Sequence, residues 1–148
     1  MNGNPPSQGR IVSLQLCPGH RKPMQPVERM EAIANLGPKG DRHALPESSR
    51  QVLLIEKETL DQLSLRPGEI KENVTTLGLE LMKLTRGQRL KLGQSVVLEI
   101  AGPCTPCSRM EEISPGLLRA SAGRRGMLAR VMQGGAIVLG DTIQATES

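Results

Sequence analysis

From Gly9 to Leu16 the chain alternates, with Ile11, Ser13 and Gln15 on one side and Val12, Leu14 and Leu16 on the other, until Pro18-Gly19 ends the run. A period of two closed by Pro-Gly predicts a strand and then a turn. The stretch PVERMEAIANLG carries two periods at once: Val27, Met30 and Ile33 fit helical spacing, whereas Met30, Ala32, Ala34 and Leu36 alternate like a strand. Pattern alone leaves that segment open. RQVLLIE, residues 50–56, is nearly continuous in apolar residues and short, which predicts a buried strand. KETLDQLSL then reads as a short helix ended by Pro67-Gly68.

Beyond Glu69 glycines recur at 78, 87, 93 and 102, and the pieces between them, EIKENVTTL, LELMKLT, RLKL and SVVLEIA, are of strand size. Short strands at close spacing with glycine turns predict a β-barrel or compact sheet rather than βαβ repeats. Ser114 and Pro115 have the residue types of an N-cap and first helical position, opening a helix through about Ala122. MLARVM, QGG and AIVLGDTIQA predict a closing hairpin. There is no internal repeat and no domain boundary. The expectation is one mainly β domain over 9–148, with two or three short helices, behind a flexible polar arm over 1–8.

Composition narrows the function classes. At 148 residues one domain with a proper core is expected, and with no Phe, Tyr or Trp that core must be built from Leu, Ile, Val, Met and Ala. Without aromatic rings there is no stacking platform for bases, so nucleic-acid binding is not expected. A net charge of +4 favours anionic partners only modestly. The start MNGNPPSQGR has no apolar run of signal-peptide type, and no stretch reaches the roughly 18 apolar residues of a membrane span. Three cysteines, an odd number, argue against a secreted disulfide framework and for a reducing cytoplasm.

The densest chemistry is GPCTPCSRMEE, residues 102–112, with two residues between Cys104 and Cys107. A thiol reacts or ligates as thiolate, which nearby positive charge favours. Arg109 follows Cys107 by two residues, and Arg124 and Arg125 come one short helix later. A zinc set is one reading: CPGH supplies Cys17 and His20, and CTPC supplies Cys104 and Cys107. Against it, Cys17 ends an apolar alternation and reads equally as a core cysteine. A thioredoxin-type redox pair fits less well, because Pro106 and a helix start at Ser114-Pro115 would delay the helix that should follow the pair.

Three other segments bear on function. GPKGDRHALPESSRQ gathers Gly37, Gly40, Asp41, Arg42, His43 and Arg50 in one loop, either a solvated turn or a set of anion donors. PGEIKENVTTLG sets Glu69, Glu72 and Asn73 before a strand, which by spacing alone reads as a turn and an exposed strand face. AGRRGML places two arginines between glycines, where amides and guanidinium forks would both meet a phosphate, although a basic turn is the simpler reading.

Taken in order, Gly-Asp-x-His in GDRHA, the GEIKEN stretch, the two glycines of GQRLKLG, PCSRM and the terminal GGAIVLGD resemble the MOSC domain. That domain ends eukaryotic molybdenum-cofactor sulfurases and also occurs as stand-alone bacterial proteins. The resemblance runs from about Gly9 to Ala145. It implies a barrel-like β fold and a reactive cysteine that carries sulfane sulfur or ligates molybdenum. The Pro-Cys-x-basic-apolar pattern falls on Cys107, so Cys107 is the implied metal or sulfur ligand and Cys104 the neighbouring thiol. Asp41 and His43 fall in the Gly-Asp-x-His loop and Asn73 in the Glu-Asn motif. The implied cofactor is molybdopterin, whose phosphate and dithiolene call for cationic donors near a soft ligand, and Arg109, Arg124 and Arg125 are the candidates. The implied partners are a molybdoenzyme and a cysteine desulfurase. Pyridoxal phosphate enters only through that desulfurase, since 148 residues leave no room for the sulfurases' own N-terminal region. The additional β-barrel of oxidoreductase relatives has no counterpart either, so neither desulfuration nor full reductase activity is expected of this chain alone. The rivals are a zinc-binding adaptor and a basic anion-binding domain without chemistry.

Overall fold

The N-terminal alternation folds as β1 (Gln8–Leu16), but not in strict phase. A bulge between Ile11 and Ser13 resets it, so that Ile11 and Leu14, on opposite sides of a regular strand, are both buried. The computed structural model describes residues 8–146, so the polar arm expected over 1–8 lies, except for Gln8, outside them. The doubly periodic segment resolves as strand, in β2 (Gln25–Val27) and β3 (Arg29–Ile33), and β4 (Gly37–Pro38) follows. Met30 and Ala32 point inward while Arg29 and Glu31 are exposed, and tertiary pairing supplies the backbone partners that local spacing could not assign.

The apolar run becomes β5 (Val52–Glu56), and α1 (Lys57–Gln62) follows it directly. Next come β6 (Val74–Leu77), β7 (Arg89–Leu92) and β8 (Val96–Pro103). LELMKLT is not a strand: Leu81–Lys83 make one turn of 3-10 helix that drops Leu81 into the core. The helix expected from Ser114 is also displaced. It is split into α2 (Arg109–Ile113), whose C-cap is Ser114, and α3 (Leu117–Ala120), whose N-cap is Gly116. The end of the chain is β9 (Met127–Gln133), β10 (Gly135–Val138) and β11 (Thr142–Ala145). These do not form a simple hairpin. β9 pairs with β5 and β8, β10 with β3, and β11 with β7 and β1, so the chain changes sheet at Gly134-Gly135.

Hydrogen-bonded neighbours run β11-β7-β8-β9-β5-β6-β1, and the β1–β11 pairing closes them into a seven-stranded barrel. β2 extends β1 on the outside, and β10, β3 and β4 make a second small sheet. The β5–β6 pair is parallel, which a tight turn cannot produce, and α1 with the loop after it supplies the crossover. The barrel is thus mixed and mainly β, with three short helices. No helix among the described residues is long and apolar enough to cross a membrane.

Aliphatic side chains alone fill the barrel, among them Leu54, Leu90, Leu92, Leu98, Ile100 and Ile143. Each fully buried Leu or Ile contributes about 1.5–3 kcal/mol, so a core without aromatic rings is well supported by number of contacts. The other face of β5 explains its unbroken apolar run. Ile55 packs with Leu60, Ile70, Met110 and Leu117 beneath the helices, and Leu53 packs with Leu128 and Cys104 under a surface cleft. Glu72 and Asn73, expected on an exposed face, are buried where the crossover loop enters β6.

Candidate functional site, a cation-lined cleft at Cys107

Leu53 and Leu128, paired across β5 and β9, lie in the wall of a cleft of about 210 Å³. Its rim comes from the turn after β1, the loop after β4, the crossover loop and the turns flanking α2 and β9. Each contributes a cation: Arg21, Arg42, Arg50, Lys71, Arg109 and Arg125. Among the described residues no Asp or Glu lines it.

The thiols arrive from β8. A bulge between Ile100 and Gly102 redirects the strand end, and the Cys104 N–H donates to the Gly126 carbonyl at 2.8 Å. Cys104 is thereby buried against Leu53 and Leu128. Cys107 is exposed, and its carbonyl accepts the Met110 N–H at 2.9 Å to open α2. The helix therefore follows the cysteine pair at once, contrary to the delay expected from Pro106 and Ser114. The framework around the pair is nonetheless a barrel wall.

Asp41 sits behind the cleft with its side chain fully buried. Its Oδ1 accepts the Cys17 N–H at 2.6 Å and the Asn73 amide at 3.0 Å, and its Oδ2 accepts the His43 N–H at 2.9 Å. The His43 ring Nδ1 stands 3.4 Å from the same oxygen. Burial pushes the Asp41 carboxyl up, but the His43 side chain and the Cys17 and His43 amides outweigh it and hold it below its ordinary value. Asn73 spends its amide on the frame as well: it donates to the Gln15 carbonyl at 3.2 Å and accepts the Leu53 N–H at 3.0 Å. Asp41 and Asn73 thus lock the loop after β4 and the end of β1 to the start of β5. His43 and Asn73 reach the cleft wall, whereas Asp41 braces it from behind.

Arg125 is buried, donates from Nη2 to the Ile70 carbonyl at 2.8 Å, and has no partner among the described residues at Nε or Nη1. Arg124 turns away. Its Nε donates to the Ala120 carbonyl and its Nη1 to Gln62 Oε1, both at 2.8 Å, so it ties α3 to α1 and takes no part in the cleft. The His20 imidazole, on the rim, is held below its ordinary pKa by desolvation and then by Arg42, Arg109 and Arg21.

Cys17, His20, Cys104 and Cys107 all border this cleft, yet among the described residues no three Cys, His, Asp or Glu side chains come together as a metal set. Cys17 Sγ lies against the Gly19 carbonyl and Cys104 Sγ against that of Thr105. The zinc module is therefore not assembled. Sequence spacing overlooked Arg21 and Lys71, since each lies in a different loop and only the barrel brings those loops together. Lys71 did have a signal, its place inside GEIKEN.

Comparison with known proteins agrees with this architecture. The MOSC domain profile matches residues 37–144. The YuaD protein of Bacillus subtilis superposes with a TM-score of 0.79 at 17% identity, over 93% of this chain and 95% of that one. YiiM from Geobacillus stearothermophilus gives 0.74 at 20% identity, over 94% and 75%. YiiM from Escherichia coli gives 0.68 at 17%, over 94% and 70%. No curated protein matches the chain.

Proposed function

The chain belongs to the MOSC domain family, one associated with molybdenum-cofactor sulfuration and N-hydroxylamine reduction, and we propose that it binds the cofactor or carries a sulfane sulfur at Cys107. The observation that carries this reading is the pairing of the one exposed cysteine with a cleft wall of six cations and no carboxylate. A phosphate-bearing, sulfur-rich group suits that donor set. The two unpartnered Arg125 donors call for an oxyanion, and a thiolate is the soft ligand that molybdenum accepts. Arg125, Arg109 and Lys71 would hold the anionic end, with Cys107 at the reacting end. When bound, the cofactor would supply the metal's redox and sulfur-accepting chemistry.

The chain's own part is nucleophilic. To take up sulfur, the Cys107 thiolate attacks the outer sulfur of a desulfurase persulfide; a new S–S bond forms to Cys107 and the desulfurase cysteine leaves as thiolate. Cys104 is the resolving neighbour: its thiolate attack on Cys107 Sγ would close a disulfide and expel hydrosulfide. Its burial under Leu53 and Leu128 slows that discharge. Mass spectrometry after incubation with a cysteine desulfurase and cysteine tests both roles. Cys107→Ser should take up no persulfide, and Cys104→Ser should retain it longer than the parent. Equal loading of Cys107→Ser and parent would remove Cys107 from the mechanism.

A further inference from the structure

Next to the cleft wall lie two buried charged groups whose hydrogen-bonding capacity is only partly used. Glu72 is fully buried; its Oε2 accepts the Gly68 N–H at 2.7 Å and the Thr75 hydroxyl at 3.0 Å, while Oε1 has no partner among the described residues. Arg125, 7% exposed, holds the carbonyl of Ile70, two residues before Glu72, and keeps Nε and Nη1 unpartnered. The groups around Glu72 come from four places. They are the N–H groups of its own turn, Thr75 on β6, the Gln15 amide of β1 on the Glu72 carbonyl, and Arg125 from the turn before β9. Arg125 is the cation whose charge bears on the carboxyl, and neither imidazole does.

A buried carboxylate without a cation is costly, and a buried guanidinium without an acceptor is costly in the same way. The two make no direct ion pair, so Arg125 acts on Glu72 through its field until something else arrives at Arg125. We infer that Glu72 and Arg125 form a counter-charge pair coupled to ligand binding: without an anion at Arg125, Glu72 is the carboxylate that balances it, and a dianion seated there takes over that role while Glu72 Oε1 binds a proton from solvent. The step balances as one anion bound and one proton taken up. Burial, the largest influence on Glu72, already pushes its carboxyl above the ordinary value, and loss of the Arg125 field adds to that push. The inference rests on the reading that an anionic group seats at Arg125, and it adds a regulation to that seat. Binding of a ligand with two negative charges strengthens as pH falls, and release is favoured as pH rises.

Sulfate is the probe, because it stays dianionic through the neutral range. The parent protein should bind it by calorimetry with uptake of up to about one proton per anion, read from buffers of different ionisation enthalpy. In the carbon-13 carboxyl spectrum the Glu72 titration should move up by about one pH unit when sulfate is present. Glu72→Gln should bind sulfate with that uptake removed, and if this variant does not fold the carboxyl spectrum of the parent decides alone. A Glu72 carboxyl that titrates at the same pH with and without sulfate overturns the coupling and leaves the anion seat standing. Undiminished proton uptake in Glu72→Gln does the same. No sulfate binding by the parent, or equal binding by Arg125→Ala, overturns seat and coupling together.

Discussion

Asp41 shows most plainly how one residue serves the cleft without facing it. Its two oxygens collect the Cys17 and His43 amides and the Asn73 side chain from three separate segments. Asp41→Ala removes a charged acceptor and leaves buried donors unmet, at a cost of roughly 3 kcal/mol or more. Urea unfolding should show that loss in full at neutral pH. The folded carboxyl lies below its ordinary 3.8, so its contribution is complete above that value and disappears as pH falls through the folded one. The gap between parent and variant should accordingly narrow in strong acid, and a gap that stays constant there would mean the Asp41 charge contributes nothing. Motif order drew attention to Asp41, His43 and Asn73. It did not reveal that the Asp41 carboxylate and the Asn73 amide are engaged by the frame, because the partners lie in other loops.

At the scale of elements, the cleft depends on how β8 ends and β9 begins. Gly126 has φ +109, and a Cβ there would stand 2.5 Å from the Leu54 carbonyl oxygen and 3.2 Å from Leu53 Cδ1. Its own carbonyl receives the Cys104 N–H. Gly126→Ala therefore combines a left-handed backbone with a clash against β5 backbone, and should destabilise by about 2–4 kcal/mol. Gly123, at φ +77 with nothing within 4 Å of the added carbon, makes the control, and Gly123→Ala should cost about 1 kcal/mol. Thermal unfolding compares the two, and equal losses would deny the crowding at β5. Apolar patterning announced β5, β7 and β8 well. It misread LELMKLT, whose strand-like spacing sits around a 3-10 turn that seats Leu79 and Leu81 in the core without a ladder partner.

For the molecule as a whole, the modest net charge hides a concentrated field. The six cleft cations come from four loops and the start of α2, spread between residues 21 and 125, and among them Arg21 has an ion-pair partner, the exposed Glu112. Such a wall should steer anions to Cys107, and the effect should fade with salt, since the screening length is about 8 Å at physiological ionic strength. Anionic iodoacetate should alkylate Cys107 faster, relative to neutral iodoacetamide, than it alkylates a small free thiol. That advantage should shrink steadily as sodium chloride is added. A ratio equal to the free thiol's at every salt concentration would show that the cations do not act at the sulfur.

Local pattern determined the barrel class, most strands, and the aliphatic nature of the core, because alternation and turn residues act between near neighbours in the chain. Motif order determined the family, and with it the attention given to Cys107, Asp41, His43 and Asn73. Tertiary structure alone decided which of two adjacent arginines serves the cleft. Arg124 and Arg125 are equivalent in AGRRGML, yet α1 captures one and the Ile70 carbonyl holds the other beside the cleft. It also left the zinc set ungathered, since Cys17, His20, Cys104 and Cys107 border one cleft yet no three ligand side chains come together among the described residues. Burial of Glu72 and its nearness to Arg125 were equally invisible in GEIKEN. A charge is buried or exposed according to what distant segments cover it, and no spacing along the chain records that.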